Sequence, residues 1–121
     1  MKYISIDDLE VYKLAMEIGE EVWAMVNEWA DFPKKIVGEQ FCRAADSIAA
    51  NIAEGHGRDH LGDYLRHLSI ANGSLKELET HLLLLGRLGY HAENEAEPLL
   101  AKCAEVGKML SGLSKSLRGL H

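Results

Sequence analysis

The sequence predicts an all-α protein, an antiparallel up-and-down four-helix bundle, as a single domain over residues 1–121. Three observations carry this. Apolar residues recur in steps of 3 and 4 through four separate runs, which is the period of a helix face. The runs are parted by short breaks around Phe32-Pro33, Gly55-His56-Gly57 and Gly89. Short links make neighbouring helices antiparallel. No strand-like alternation lasts more than a few residues. A chain of 121 residues has the common size of one domain and can bury a real core.

The first helix is expected from about Asp7 to Ala30. Ser5 and Asp8 have capping-box spacing, with Asp in place of the usual Glu. One apolar stripe is Val11, Ala15, Ile18, Val22, Met25 and Trp29; an adjoining one is Leu9, Tyr12, Met16, Trp23 and Val26. Together they are wider than one bundle core needs. Surplus apolar surface points to a partner, most simply a second copy. Phe32-Pro33-Lys34-Lys35 reads as the break, since the residue before proline avoids helical angles.

The second helix is expected from about Gly38 to Ala53, with Phe41, Ala45, Ile48 and Ile52 facing the core. The third runs from about Asp59 to Leu88 on Leu61, Leu65, Leu68, Ala71, Leu75, Leu78, Leu82 and Leu85. Gly89 then fits the left-handed cap position. The fourth is expected to begin near Pro98, a residue suited to a first helical turn. Its seam is Leu99, Cys103, Val106, Leu110, Leu113 and Leu117.

The net charge is -6. Residues 1 to 31 hold eight acids against Lys2 and Lys13, which accounts for all of it. An acidic first helix repels phosphate, because nucleic-acid affinity comes largely from cations that displace counterions. Near the end, Lys102, Lys108, Lys115 and Arg118 stand against Glu105. They make either a basic patch or ordinary complements to the helix dipole. No stretch approaches the ~20 apolar residues that span a bilayer, and the start lacks the pattern of a signal peptide. The expectation is a cytoplasmic protein with no membrane contact. Cys42 and Cys103 lack CxxC spacing and read as reduced, partly buried thiols.

The second helix carries a polar stripe: Gln40, Arg43, Ser47, Asn51, Glu54 and Arg58, in steps of 3 and 4. Alanines 44, 45, 49, 50 and 53 fill much of the rest. One reading is a solvated face with a local Glu54–Arg58 pair. The other is a seam buried between helices or subunits. There Arg43, Ser47, Asn51 and Glu54 satisfy one another, or Ser74 and Glu77 of the third helix. The seam is favoured because Glu39 and Asp46 already supply a solvent face. Buried polar groups need partners, so the seam's role is specificity in assembly.

Other constellations offer little chemistry. His56 and His60 with Asp59 and Asp63 lack an HExxH pattern, so no metal site is assigned. His67 and His81 read as flank residues of the third helix; His91 and His121 suggest nothing. GHGRDHLG lacks the Lys-Ser/Thr of a phosphate loop and reads as an interhelix turn. No Ser-His-Asp or Cys-His set can be named, so no catalytic residue and no cofactor are expected. Trp23 and Trp29 read as core or interface anchors, since bases stack on aromatics that lie beside cations.

Two runs carry a resemblance. QFCRAADSIAANIAEGHGR holds Gln40, Arg43, Ala44, Ala45, Ser47, Ile48, Asn51, Ile52, Ala53, Glu54, Gly55 and Arg58. Further on come Tyr64, Leu68, Ile70, Ala71, Gly73, Ser74, Leu75, Glu77, Leu78, Glu79 and Thr80. Together they resemble the small bacterial four-helix-bundle proteins first found as reading frames in intervening sequences of large-subunit ribosomal RNA. The resemblance extends from Leu9 to Leu117. It implies an antiparallel bundle that assembles into a ring-shaped homopentamer. Its kin include a retroelement accessory protein that binds nucleic acid and a reverse transcriptase. The chain departs from the pattern at Cys42, Ala49, His67 and Asn72, and two of these replace family cations. The function expected is a non-catalytic homo-oligomeric adapter that associates with RNA or a ribonucleoprotein. Its phosphate contacts would be Arg43, Arg58, Lys108, Lys115 and Arg118. The alternative is a purely protein–protein scaffold with no nucleic-acid affinity.

Overall fold

The computed structural model describes residues 5–91 and 93–119, so Lys2 and His121 lie outside it. Four long helices form: α1, Glu10–Asn27; α2, Glu39–His56; α3, Leu61–Arg87; and α4, Glu93–Arg118. They pack as a ring, α1 on α2, α2 on α3, α3 on α4 and α4 back on α1, and the α2–α3 contact is the most extensive. This is the antiparallel up-and-down four-helix bundle that the periodicity predicts, with no strand among the described residues.

The inward stripes meet in one cluster. Val11, Ala15, Ile18 and Val22 of α1 join Phe41, Ala45, Ile48 and Ile52 of α2. Leu68, Ala71, Leu75, Leu78, Leu82 and Leu85 come from α3, and Leu99, Cys103, Val106, Leu110 and Leu117 from α4. Each large apolar side chain so buried contributes roughly 1.5–3 kcal/mol. Trp29 stacks on Phe41 with ring centroids 5.8 Å apart and closes the core where α1 ends. The second stripe of α1 divides: Val26 is buried and Leu9 and Tyr12 pack half-buried against the core, while Met16 stays 45% exposed and Trp23 50%.

The helix ends differ from expectation at four places, each for a local reason. Ser5 caps a separate 3-10 turn, Ile6–Asp8, by accepting from the Asp7 amide at 3.4 Å. Leu9 is extended, so α1 begins at Glu10. The first break falls at residues 28 to 30, where Ala30 is extended (φ -62, ψ 160). The chain turns helical again over Asp31–Pro33, passes through a π-helical stretch at Lys34–Gly38 and runs into α2. Pro33 therefore starts a helix instead of breaking one. In a first turn its missing N–H would have had no intrahelical partner. α2 continues past Ala53 to His56. α4 begins at Glu93, so Pro98 sits inside it, on an exposed position. At the end of α3 the expected glycine cap is present. Gly89 has φ 83, its amide bonds to the Gly86 carbonyl, and the Tyr90 amide bonds to that of Leu85. These two bonds make a Schellman cap.

Candidate functional site

The polar stripe of α2 divides in the folded protein. Its middle joins α3. Ser74 Oγ donates to Ser47 Oγ at 2.7 Å. The Asn51 amide nitrogen donates to the Ser47 carbonyl at 2.9 Å and to Ser47 Oγ at 3.0 Å. A carbonyl can only accept, which fixes the Asn51 side chain with Oδ1 turned away, 3.1 Å from His67 Nδ1. His67 Nδ1 must therefore carry the hydrogen in this bond. Its other ring nitrogen lies 3.5 Å from the Arg66 guanidinium. His67 is only 7% exposed. Below this network Tyr64 is buried, its hydroxyl 3.0 Å from His56 Nδ1, and burial pushes that phenol above its ordinary range. Among the described residues every buried side-chain nitrogen and oxygen has a partner.

A glycine makes this seam close. A Cβ on Gly55 would lie 2.8 Å from His67 Cβ and 3.0 Å from Tyr64 Cδ1. Only hydrogen fits there, so α2 and α3 are in close contact beside the hydrogen-bond network.

The rest of the stripe points outward. Gln40 is exposed. Arg43 pairs with Glu39 at 2.7 Å within α2, and Arg58, in the turn after α2, pairs with Glu54 at 2.7 Å; both pairs are open to solvent. Glu77 lies 3.6 Å from His81 on its own helix. Of the seven predicted seam residues, Ser47, Asn51 and Ser74 come together, while Gln40, Arg43, Glu54 and Glu77 do not. His67, read from the sequence as a flank residue, is the member that was missed. A signal for it exists, since Tyr64, His67, Ala71, Ser74 and Leu78 step by 3 and 4.

On its other flank α2 faces α1 across an open, mostly apolar groove of about 460 Å³. Tyr12, Met16 and Trp23 line one wall, and Ala49, Ala50 and Ala53 the other. The Trp23 indole N–H donates to Asp46 at 2.9 Å, which holds the ring across the groove. A second group of exposed apolar side chains occupies the bundle end where α3 stops: Phe32, Ile36, Leu84 and Leu88. Phe32 is 72% exposed.

The predicted phosphate contacts also separate. Lys108, Lys115 and Arg118 share α4, whereas Arg43 lies on α2 and Arg58 in the turn just after it, each with a carboxylate partner on α2. Lys102 does not extend the α4 group. Its ammonium pairs with Glu21 and, at 3.3 Å, with Glu17, tying α4 to α1. Those carboxylates hold it above the ordinary lysine range.

Cys42 and Cys103 are both free and buried. Burial pushes the Cys103 thiol up to about 12, with Glu79 and Glu21 adding to the shift. Burial also raises Cys42, with a contribution from Asp46. A buried thiol of that kind is inert as a nucleophile. Among the described residues no three His, Cys, Asp or Glu side chains are placed to hold a metal ion. Nor is any helix among them long and apolar enough to cross a membrane.

No curated protein matches the chain. A solved structure does. It is a crystal structure of a protein of unknown function from the S23 ribosomal protein family of Bacteroides thetaiotaomicron. The two chains are 28% identical, the match covers 87% of this chain and 98% of that one, and the TM-score is 0.79. The family model for 23S rRNA-intervening sequence proteins matches residues 7–112. With nearly the whole bundle inside that match, the chain belongs to the 23S rRNA-intervening sequence protein family.

Proposed function

We propose that the protein is a non-catalytic, homo-oligomeric adapter of the cytoplasm that associates with RNA or a ribonucleoprotein. The observation that carries the reading is the apolar face left uncovered between α1 and α2. Met16 and Trp23 stand about half exposed over an alanine-lined wall. Exposed aromatic and methionine side chains over a groove are features of protein interfaces. The second apolar group, at Phe32, Ile36, Leu84 and Leu88, adds to the argument. A closed ring of more than two copies joins two different patches head to tail, and this chain has two to offer. A homopentamer is the ring the family resemblance implies.

Native mass spectrometry tests the assembly. The expected species is a fivefold multiple of 13.4 kDa. Met16→Glu with Trp23→Glu should reduce it to the monomer while the helical circular-dichroism signal stays, because both side chains are outside the core. A monomeric wild-type protein overturns the assembly. The purely protein–protein scaffold is the competing reading, favoured by the net charge of -6. It predicts no nuclease-sensitive mass on the oligomer.

A further inference from the structure

The described cations fall into two kinds. Lys13, Arg43, Arg58, Lys76 and Lys102 each lie within ion-pair distance of a carboxylate. Lys34, Lys35, Arg66, Arg87, Lys108, Lys115 and Arg118 have no such partner among the described residues, and the last three share α4. With Ser111 they step by 3, 4 and 3 along one face of α4. Opposite them, Ser69, Asn72 and Lys76 form a matching polar stripe on α3. Between the stripes runs a groove made of two joined cavities of about 260 and 680 Å³, which share Asn72, Gly107, Ser111 and Lys115. Its one carboxylate, Glu79, is 3.4 Å from Lys76.

We infer that this α3/α4 groove binds the phosphodiester backbone of an RNA strand. The inference rests on the RNA association proposed above and gives it a place. From Lys108 to Arg118 the cations extend over roughly 15 Å of helix at 1.5 Å per residue. That is too long for one phosphate group and suits a polymer of them. Between the cations stand Ser111, Ser114, Ser69 and Asn72, which can donate to phosphate oxygens or bond a ribose hydroxyl. No aromatic side chain lines either cavity. Bases therefore have no stacking platform, and recognition is of the backbone, without sequence reading. The surplus acid lies elsewhere. Glu17 and Glu21 of α1 meet α4 at Lys102, on the flank of α4 turned away from the groove. Gly112 lines the groove beside open space, where a Cβ would meet nothing within 4 Å.

The test is a fluorescence-anisotropy titration of the full chain with a labelled uridine homopolymer of about 20 nucleotides, across a salt series. Three phosphate contacts predict a log–log salt slope of about -2. Lys115→Glu with Arg118→Glu should weaken binding by about tenfold or more and flatten that slope. Arg43→Glu with Arg58→Glu should leave affinity within about twofold, because those side chains lie on α2 and in the turn after it, outside the groove lining. Gly112→Lys should tighten binding severalfold, and lysine is a better helix former than glycine, so the fold is not impaired. Binding that ignores both groove variants overturns the groove but leaves RNA association standing. Equal loss in the Arg43/Arg58 variant overturns it too. No binding at about 50 mM salt, even with Gly112→Lys, overturns the groove and the RNA association together.

Discussion

The two flanks of α2 are built on opposite principles. Toward α3 the helix presents Gly55 and the Ser47–Asn51 pair, and every group there is matched, by Tyr64, His67 or Ser74. Toward α1 it presents alanines, and these leave a groove that a single ring, Trp23, crosses. Small residues serve both flanks with different results. A glycine opposite a large ring makes a tight seam; alanines opposite Met16 and Trp23 make an unfilled surface. The tight flank specifies how the bundle closes on itself. The loose one is what remains available to another molecule.

Substituting glycines on the two flanks sharpens this contrast most. Gly55→Ala places a methyl against His67 and Tyr64 and should cost about 3 kcal/mol, the upper part of the range for overpacking. The measurement is the midpoint of urea unfolding. Next in size, Asn51→Leu leaves the His67 Nδ1–H and the Ser74–Ser47 pair without their amide partner. A loss of about 2 kcal/mol is expected in the same assay. A loss near zero would mean that water replaces the amide and that the seam is wetter than its burial implies. On the loose flank the sign reverses. A Cβ on Gly19 would meet only Asp46 Oδ1, at 3.9 Å. Gly19→Ala should therefore stabilise by about 0.5–1 kcal/mol through helix propensity. Destabilisation there would show that the groove is already tight. Smallest is Arg43→Ala, whose pair with Glu39 is solvent-exposed; a change within about 0.5 kcal/mol is expected.

How much of this was legible in the sequence follows from what periodicity can and cannot report. The four helices and their inward stripes were readable, because 3 and 4 steps of Leu, Ile and Val mark a buried face whatever the neighbours are. The prolines misled because a proline marks a helix boundary without saying which side the helix lies on. Pro33 is in a first turn and Pro98 lies well inside α4. In the polar stripe, spacing placed six side chains on one line, but a helix face is wide enough for the line to be partly wet. The exposed cations of the stripe were those with a carboxylate four residues away, Glu39 for Arg43 and Glu54 for Arg58. That local alternative was visible in the sequence. The groove between α3 and α4 was not. It needs Ser69 and Asn72 to face Ser111 and Lys115, and that depends on the relative rotation of two helices, which one helix's pattern does not set.

The ion pair that joins Lys102 to Glu17 and Glu21 has a consequence for the order in which the bundle forms. The contacts of α2 with α3 are between neighbours in sequence across a short turn. Lys102 and Glu21 are 81 residues apart, so they meet only after most of the chain has been brought round. Closing so long a loop is entropically disfavoured until other contacts hold the ends near each other. The α2–α3 hairpin is thus the natural nucleus, and the α1–α4 face is the last seam to shut and the first to open. Removing the Lys102 amine should leave the refolding rate nearly unchanged and raise the unfolding rate, the signature of an interaction absent from the transition state.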